Sequence, residues 1–315
     1  MPYRPVAVLG ECVADAVVVP ADGPSELTLR VLPGGGPANT ATALARLGTP
    51  TRFLARVSGD RFGALFREHL SASGVDLSRC VAAVEPSTLA VADLDADGRA
   101  TYSFHAEGAA DWGWSRDELD PERLGAAGCL HTGSLALARD PGGPLVEELL
   151  ARVRPRVTVS LDPNVRTALV RPDVYRDRFP RWCALADLVR MSDEDLNHLA
   201  PGASIPEACD TCHERGVRLV VVTQGAGGAT ASLDGHRLSV PAPVTAVADT
   251  IGAGDAFTAG LLHRLGALSL LGGRLTDLTP SHVHDALSFA TQVAALTCAT
   301  AGANPPWPHQ LPPPA

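Results

Sequence analysis

The stretch DTIGAGDAF, Asp249 to Phe257, sets two carboxylates around a run whose glycines leave the main chain almost bare. The residues after it, AFTAGLLHRLGAL, have helical composition, with Phe257, Leu261 and Leu265 recurring on one side. The glycines then stand at a helix N-terminus, where several amide N–H groups lack an intrahelical partner. Gly252 and Gly254 carry no Cβ, so an anion can approach those amides closely, and the helix dipole adds to the attraction. Asp255, in the first turn, is expected to be ionised and stabilised there. A cradle for an anion beside a carboxylate suits phosphate chemistry. The same residues also suit an ordinary turn before a helix, where aspartate is a favoured cap.

A second polar cluster lies near the other end, PGGGPANTATALARLG, Pro33 to Gly48. Bare backbone plus Asn39, whose amide both donates and accepts, fits a polyhydroxylated ligand. Upstream, GECVAD places Asp15 just after the first strand, either as an acceptor for two sugar hydroxyls or as a solvated strand-end charge. The chain contains no lysine, which excludes Schiff-base catalysis and the P-loop. Phosphate must therefore be handled by arginine and backbone amides. CDTCH, Cys209 to His213, matches a c-type haem attachment site. It falls in a helical segment, Met191 is the one methionine besides Met1, and no export signal is read, so the stretch is expected to be structural. The other cysteines sit mostly singly in apolar runs, as buried thiols do.

Such groups need a rigid frame. A chain of 315 residues with 45% hydrophobic content can build one large α/β domain or two smaller ones. Aromatics are only 4%, so the core is expected to be mostly Ala, Val and Leu. A net charge of -9 argues against a nucleic-acid or anionic-membrane surface. MPYRPVAVLGE lacks the features of a signal peptide and no apolar run is long enough to span a bilayer, so a soluble, cytoplasmic protein is expected. VAVLGE, TRFLARVS, CLHTGS, VTVSLDPN, DLVRMS and VRLVVVTQG read as strands separated by helical stretches. That alternation predicts a mostly parallel sheet covered on both faces, with ligands at the carboxyl ends of its strands.

Two segments break the alternation. Residues 12–32 hold strand-like runs around a Pro/Gly turn, and residues 87–108 read as a hairpin turning at Asp97-Gly98. Together they predict a small β-sheet protruding from the main domain, able to cover a cleft or pair with another subunit. The domain is expected over 1–305, followed by a loosely ordered proline-rich tail, 306–315.

GGGPAN with its alanine-rich helix, and then DTIGAGDAF, resemble the paired signatures of the ribokinase-like (PfkB) sugar kinases. LDADGRATYSFHAEGAADW, SLDPNVR, VRMSDEDL, VVVTQGAGG and AALTCATAGANPP resemble further segments of the bacterial fructokinase branch, in the same order. The resemblance implies a three-layer α/β/α fold with a β-lid and transfer of phosphate from ATP to a sugar hydroxyl. It assigns Asp255 as catalytic base and Gly252, Ala253 and Gly254 as the anion hole. Asp15, Gly34, Gly35, Asn39 and Arg166 match sugar-binding positions, and Thr223, Gly225 and Gly228 the loop beside the nucleotide.

The resemblance also implies Mg²⁺ on the ATP phosphates and a monovalent cation such as K⁺ near the glycine turn. Asp249 is its candidate for the monovalent site, or simply orders the turn. Glu194 and Asp195 fall where the family places acid near the metal, or else start a helix. Ser192 and Asp195 stand where the family usually has Asn and Glu, and Arg190 where lysine is common. His105, His131, Thr132, Trp112 and Trp114 are further polar or pocket-wall candidates. Fructose is the first expectation for the acceptor. 2-Keto-3-deoxygluconate, ribose or a nucleoside are alternatives, as is an inactive sugar- or nucleotide-binding sensor. A homodimer through the lid is a further expectation.

Overall fold

The computed structural model describes residues 4–21, 23, 25–94 and 100–311. Strand β1 (Val6–Leu9) leads to β2 (Val13–Val19) and β3 (Thr28–Gly34). Helix α1 (Gly36–Arg46) returns to β4 (Thr51–Leu54), followed by β5 (Arg56–Ser58), α2 (Arg61–Ala72) and β6 (Val81–Ala83). The pair β7 (Thr88–Leu94) and β8 (Ala100–His105) comes next. The second half runs β9 (Cys129–Gly133), α3 (Ser134–Ala138), α4 (Gly142–Val153), β10 (Thr158–Asp162) and α5 (Pro172–Leu185). It continues with β11 (Leu188–Ser192), α6 (Asp193–Leu199), α7 (Ile205–Glu214) and β12 (Leu219–Thr223). The hairpin β13 (Ala229–Leu233) and β14 (His236–Val240) and the helices α8 (Ala253–Ala267) and α9 (Pro280–Cys298) complete the body.

Eight strands form the central sheet in the order β14-β13-β12-β11-β10-β9-β1-β4. All pairs from β4 to β12 are parallel, and β13 and β14 add an antiparallel edge. Because successive strand residues point to opposite faces, the apolar strands feed two cores. Val6 and Val8 join one with α1, α8 and α9, while Ala7 and Leu9 join the other with α4, α5 and α7. Covering both faces is what continuous apolar strands require. The chain leaves β1 toward β4 on one side and later returns as β9 on the other. That reversal opens a crevice at the carboxyl ends of the strands.

The lid sheet has the order β3-β2-β7-β8, with β2 and β7 parallel and both outer pairs antiparallel. The expected turn at Asp97-Gly98 lies outside the described residues. Cross-strand partners share a face, so Leu32, Asp15, Ala90 and Phe104 form one row and Arg30, Val17, Ala92 and Tyr102 the next. His105 points to the opposite face from Asp15 and is exposed, which removes it from the sugar-facing candidates.

The start of the tail is better anchored than its proline content predicts. Pro305 and Pro306 are buried, and the Arg46 guanidinium lies 5.2 Å from the Trp307 ring centre while bonding Asn304 and the Pro305 carbonyl. CDTCH lies in α7 with Cys209 and Cys212 in the core; both ring nitrogens of His213 are engaged, by the Val217 carbonyl and the Ser232 hydroxyl. The stretch is structural. Trp112 and Trp114 are core residues. His131 is buried against Ser160, and burial pushes its imidazole down to about 3.

Candidate active site

Helix α8 begins abruptly because its N-cap, Gly252, adopts a left-handed conformation at φ 75°, and a Cβ there would lie 2.7 Å from that of Ala303. Asp249 fixes the approach to this turn. Its Oδ1 accepts the Ile251 amide at 3.0 Å and its Oδ2 the Gly302 amide at 2.8 Å, tying the turn to the end of α9. No side chain caps α8; the Ala253 amide donates to the Thr250 carbonyl at 3.2 Å, and the Gly254 amide that follows faces the site for an external anion. Under them lies Arg190, brought in by β11. A Cβ on Gly254 would stand 2.8 Å from that guanidinium. Arg190 bonds Asp162 at 2.8 Å and the Thr223 hydroxyl at 2.5 Å, and its buried Nε has no partner among the described residues. Burial alone would lower Arg190, but the carboxylates of Asp162, Asp195 and Asp255 outweigh it and hold the cation charged.

In the first turn of α8, Asp255 accepts the Asn39 amide of α1 at 2.9 Å, a contact spanning 216 residues. A Cβ on Gly36 would meet Asn164 at 2.5 Å and the Asp255 carboxyl at 3.3 Å. The bare residue thus leaves room for both the loop after β10 and the Asp255 carboxyl. Burial pushes Asp255 up to about 6, with the Asn39 bond opposing and the Asp162 charge adding to the rise. Asp15 is likewise pushed up to about 6 by burial, offset by Arg166. Its carboxyl lies against Gly34, where a Cβ would be 1.9 Å from Oδ2. Gly35 has φ 100°, and its missing Cβ would strike the Glu11 carbonyl at 2.7 Å. Arg166 is exposed, forms no ion pair among the described residues, and lowers both Asp15 and Asp255 by its charge.

On the far side of Gly254 a cleft of about 770 Å³ is lined by Arg190, Glu194, Thr223, Gly225, Gly228 and Ala253, with Val244, Val247 and Phe257 as apolar wall. One end of the site is therefore lined by carboxyl and amide groups able to bond hydroxyls, and the other is a large, partly apolar cleft. The buried Asp255 carboxyl and the Arg190 cation sit between them. The model for the family described as pfkB family carbohydrate kinase matches residues 4–310. The chain belongs to the pfkB carbohydrate kinases. It is 37% identical over 309 residues to a fructokinase of Klebsiella pneumoniae, with 96% of each chain covered. A double mutant of the Vibrio cholerae O395 fructokinase, solved in a fructose-, ADP- and potassium-bound form, matches with TM-score 0.80 and 28% identity. A fructokinase with bound ATP from Xylella fastidiosa matches with TM-score 0.88 and 26% identity. Each structure match covers 96% of this chain and 94% of the other. The protein is an ATP-dependent carbohydrate kinase with the ribokinase-like fold.

In this kinase the expected site residues divide into three groups. Asp255, Asn39, Asp15, Gly34 and Gly35 stand together in one half-site, within reach of the Arg166 charge. Ala253, Gly254, Thr223, Gly225, Gly228 and Glu194 line the cleft. Asp195 and Asp249 face neither. Asp195 is buried as the N3 acid of a capping box: Oδ2 accepts the Ser192 amide and hydroxyl, and Oδ1 the Val165 amide at 2.7 Å. Both of its oxygens accept hydrogen bonds within the fold, and it does not line the cleft. Asp249 orders its turn in the same way. Sequence reasoning missed the roles of Asp162, Asn164 and Gly36. The Asp-Pro-Asn run after β10 was the only local signal for the first two.

Proposed function

We propose that this kinase transfers the γ-phosphoryl group of ATP to a hydroxyl of fructose. One observation carries the reading: Asp255 stands at the junction of the two half-sites, bonded to Asn39 on the sugar side and preceded by Gly254 at the cleft. ATP would occupy the cleft, its base against the apolar wall and its terminal phosphate at the Ala253–Gly254 amides above Arg190. Asp15 and Asn39 would hold sugar hydroxyls. Asp255 takes the proton of the attacking hydroxyl as its oxygen bonds to phosphorus, and the bond to ADP breaks. Such transfers need mainly positioning and neutralisation of developing charge, which the amides and the buried guanidinium supply.

Mg²⁺, bound with ATP, would neutralise phosphate charge. Glu194, exposed at the cleft, is the carboxylate placed to serve it, since hard cations prefer oxygen ligands. A K⁺ requirement is proposed on the potassium-bound form of the Vibrio cholerae neighbour. A sugar acid is a weaker reading: its carboxylate calls for arginine contacts, and Arg166, whose guanidinium donates to the Val165 carbonyl at 3.2 Å and acts by its charge on Asp15 and Asp255, is the candidate for them. ADP release over a panel of fructose, ribose, nucleosides and sugar acids, with Mg²⁺ and with or without K⁺, tests the proposal. Fructose should give the highest kcat/KM; turnover with sugar acids alone, or with no acceptor despite ATP binding, would refute it.

A further inference from the structure

The lid meets the body at a carboxyl that the transfer scheme leaves unused. Asp111, in the short turn Ala110–Trp112, is 3% exposed. Its Oδ1 accepts the Cys12 amide at 2.9 Å and its Oδ2 the Thr88 hydroxyl at 2.7 Å. Cys12 immediately precedes β2, and Thr88 opens β7. Its own turn is fastened on several sides. The Ala110 amide donates to the Pro86 carbonyl at 2.9 Å, and the Ala110 carbonyl accepts Arg56 at 3.0 Å. Trp112 reaches back to the Ala106 carbonyl, just past β8, at 2.8 Å. One buried carboxyl thus joins the roots of two of the four lid strands, and the turn that carries it holds the end of a third through Trp112. Glu11, 2% exposed and next in the chain to Cys12, is its acidic neighbour, and its Oε2 has no partner among the described residues.

Asp15 follows Cys12 by three residues along β2, roughly 10 Å of extended chain, so a shift of the root carries directly to its carboxyl. Its seat is narrow, because Gly34 has no room even for a Cβ beside it. We propose that Asp111 is the positioning residue of the sugar subsite, clamping the lid root so that the Asp15 carboxylate lies against Gly34. The inference rests on the sugar-site reading above. Asp111 touches no substrate in this scheme; it acts through Asp15, and the nucleotide cleft is built from other elements.

With the full chain and fructose as acceptor, Asp111→Ala should raise the sugar KM at least tenfold. The kcat at saturating fructose should stay within threefold and the ATP Kd should be unchanged. Asp111→Asn keeps an acceptor for the Cys12 amide and can turn its N–H groups toward the Thr88 oxygen, so it should restore KM to within threefold of the parent. Thr88→Val removes one bond at nearly constant shape, should raise KM at least threefold, and decides the matter if Asp111→Ala does not fold. Smaller KM changes, or sugar and ATP affinity lost together, overturn the proposal. Asp15→Ala separates the two readings. An unchanged KM there refutes the subsite itself, whereas a raised KM with inert Asp111 and Thr88 variants refutes only the clamp.

Discussion

Asp255 is under two opposed demands. Burial raises its pKa to about 6, yet the base role proposed for it requires an ionised carboxylate to accept a proton. The rate should therefore be full above that value and fall as pH drops through about 6, read as the acid limb of kcat. Asp15 titrates in the same window, so kcat/KM for the sugar should fall more steeply than kcat at saturation. For stability the sign is reversed. The native state binds the Asp255 proton more readily than the unfolded chain, whose aspartate stays near 3.8, so this group costs stability as pH rises between those values. Asp255→Asn should keep the Asn39 contact and show a melting temperature at neutral pH no lower than the parent, while kcat falls ~10²–10⁴-fold. A lower melting temperature with normal turnover would contradict both parts.

Helix α6 shows how one spacing serves two readings. An acid three residues after Ser192 is a candidate near a metal, but Ser-x-x-Asp is also the signature of a capping box. The structure uses the second, and Asp195 additionally holds the Val165 amide that begins the Arg166 loop. Losing a cap costs about 0.5–2 kcal/mol, and a buried amide left unpaired about 1–3 kcal/mol. Asp195→Ala should therefore lower the melting temperature by several degrees and raise the sugar KM, with ATP affinity preserved in calorimetry. At the start of α8 the constraint is steric. Gly254→Ala should place a methyl against Arg190 and depress kcat far more than stability. These elements were legible as helices from composition. Which of their polar residues face the cleft was not, because facing depends on the neighbouring strand.

Across the whole molecule, the lid carries an apolar stripe that its own body leaves open. Leu32 is 39% and Tyr102 55% exposed on the face that bears Asp15, with Tyr102 stacked on Phe104. Exposed apolar surface of this kind marks interaction sites, and we propose that a second copy of the chain covers it. Sedimentation should report a dimer, and Leu32→Asp with Tyr102→Asp should yield a monomer; a parent that sediments as a monomer would refute this. For membranes the observation is narrower: no helix among the described residues is long and apolar enough to cross one.

The sequence by itself determined the α/β alternation, the lid segments, the glycine cradle and its carboxylate, since periodicity and backbone permissiveness are local properties. Only the tertiary structure decided that Arg190 lies beneath Gly254, that Asn39 meets Asp255, and that Asp111 gathers the lid strands. Those pairs stand between 23 and 216 residues apart in the cited contacts; the first two meet because a parallel sheet brings the carboxyl ends of distant strands to one edge, and the third where the lid sheet joins the body.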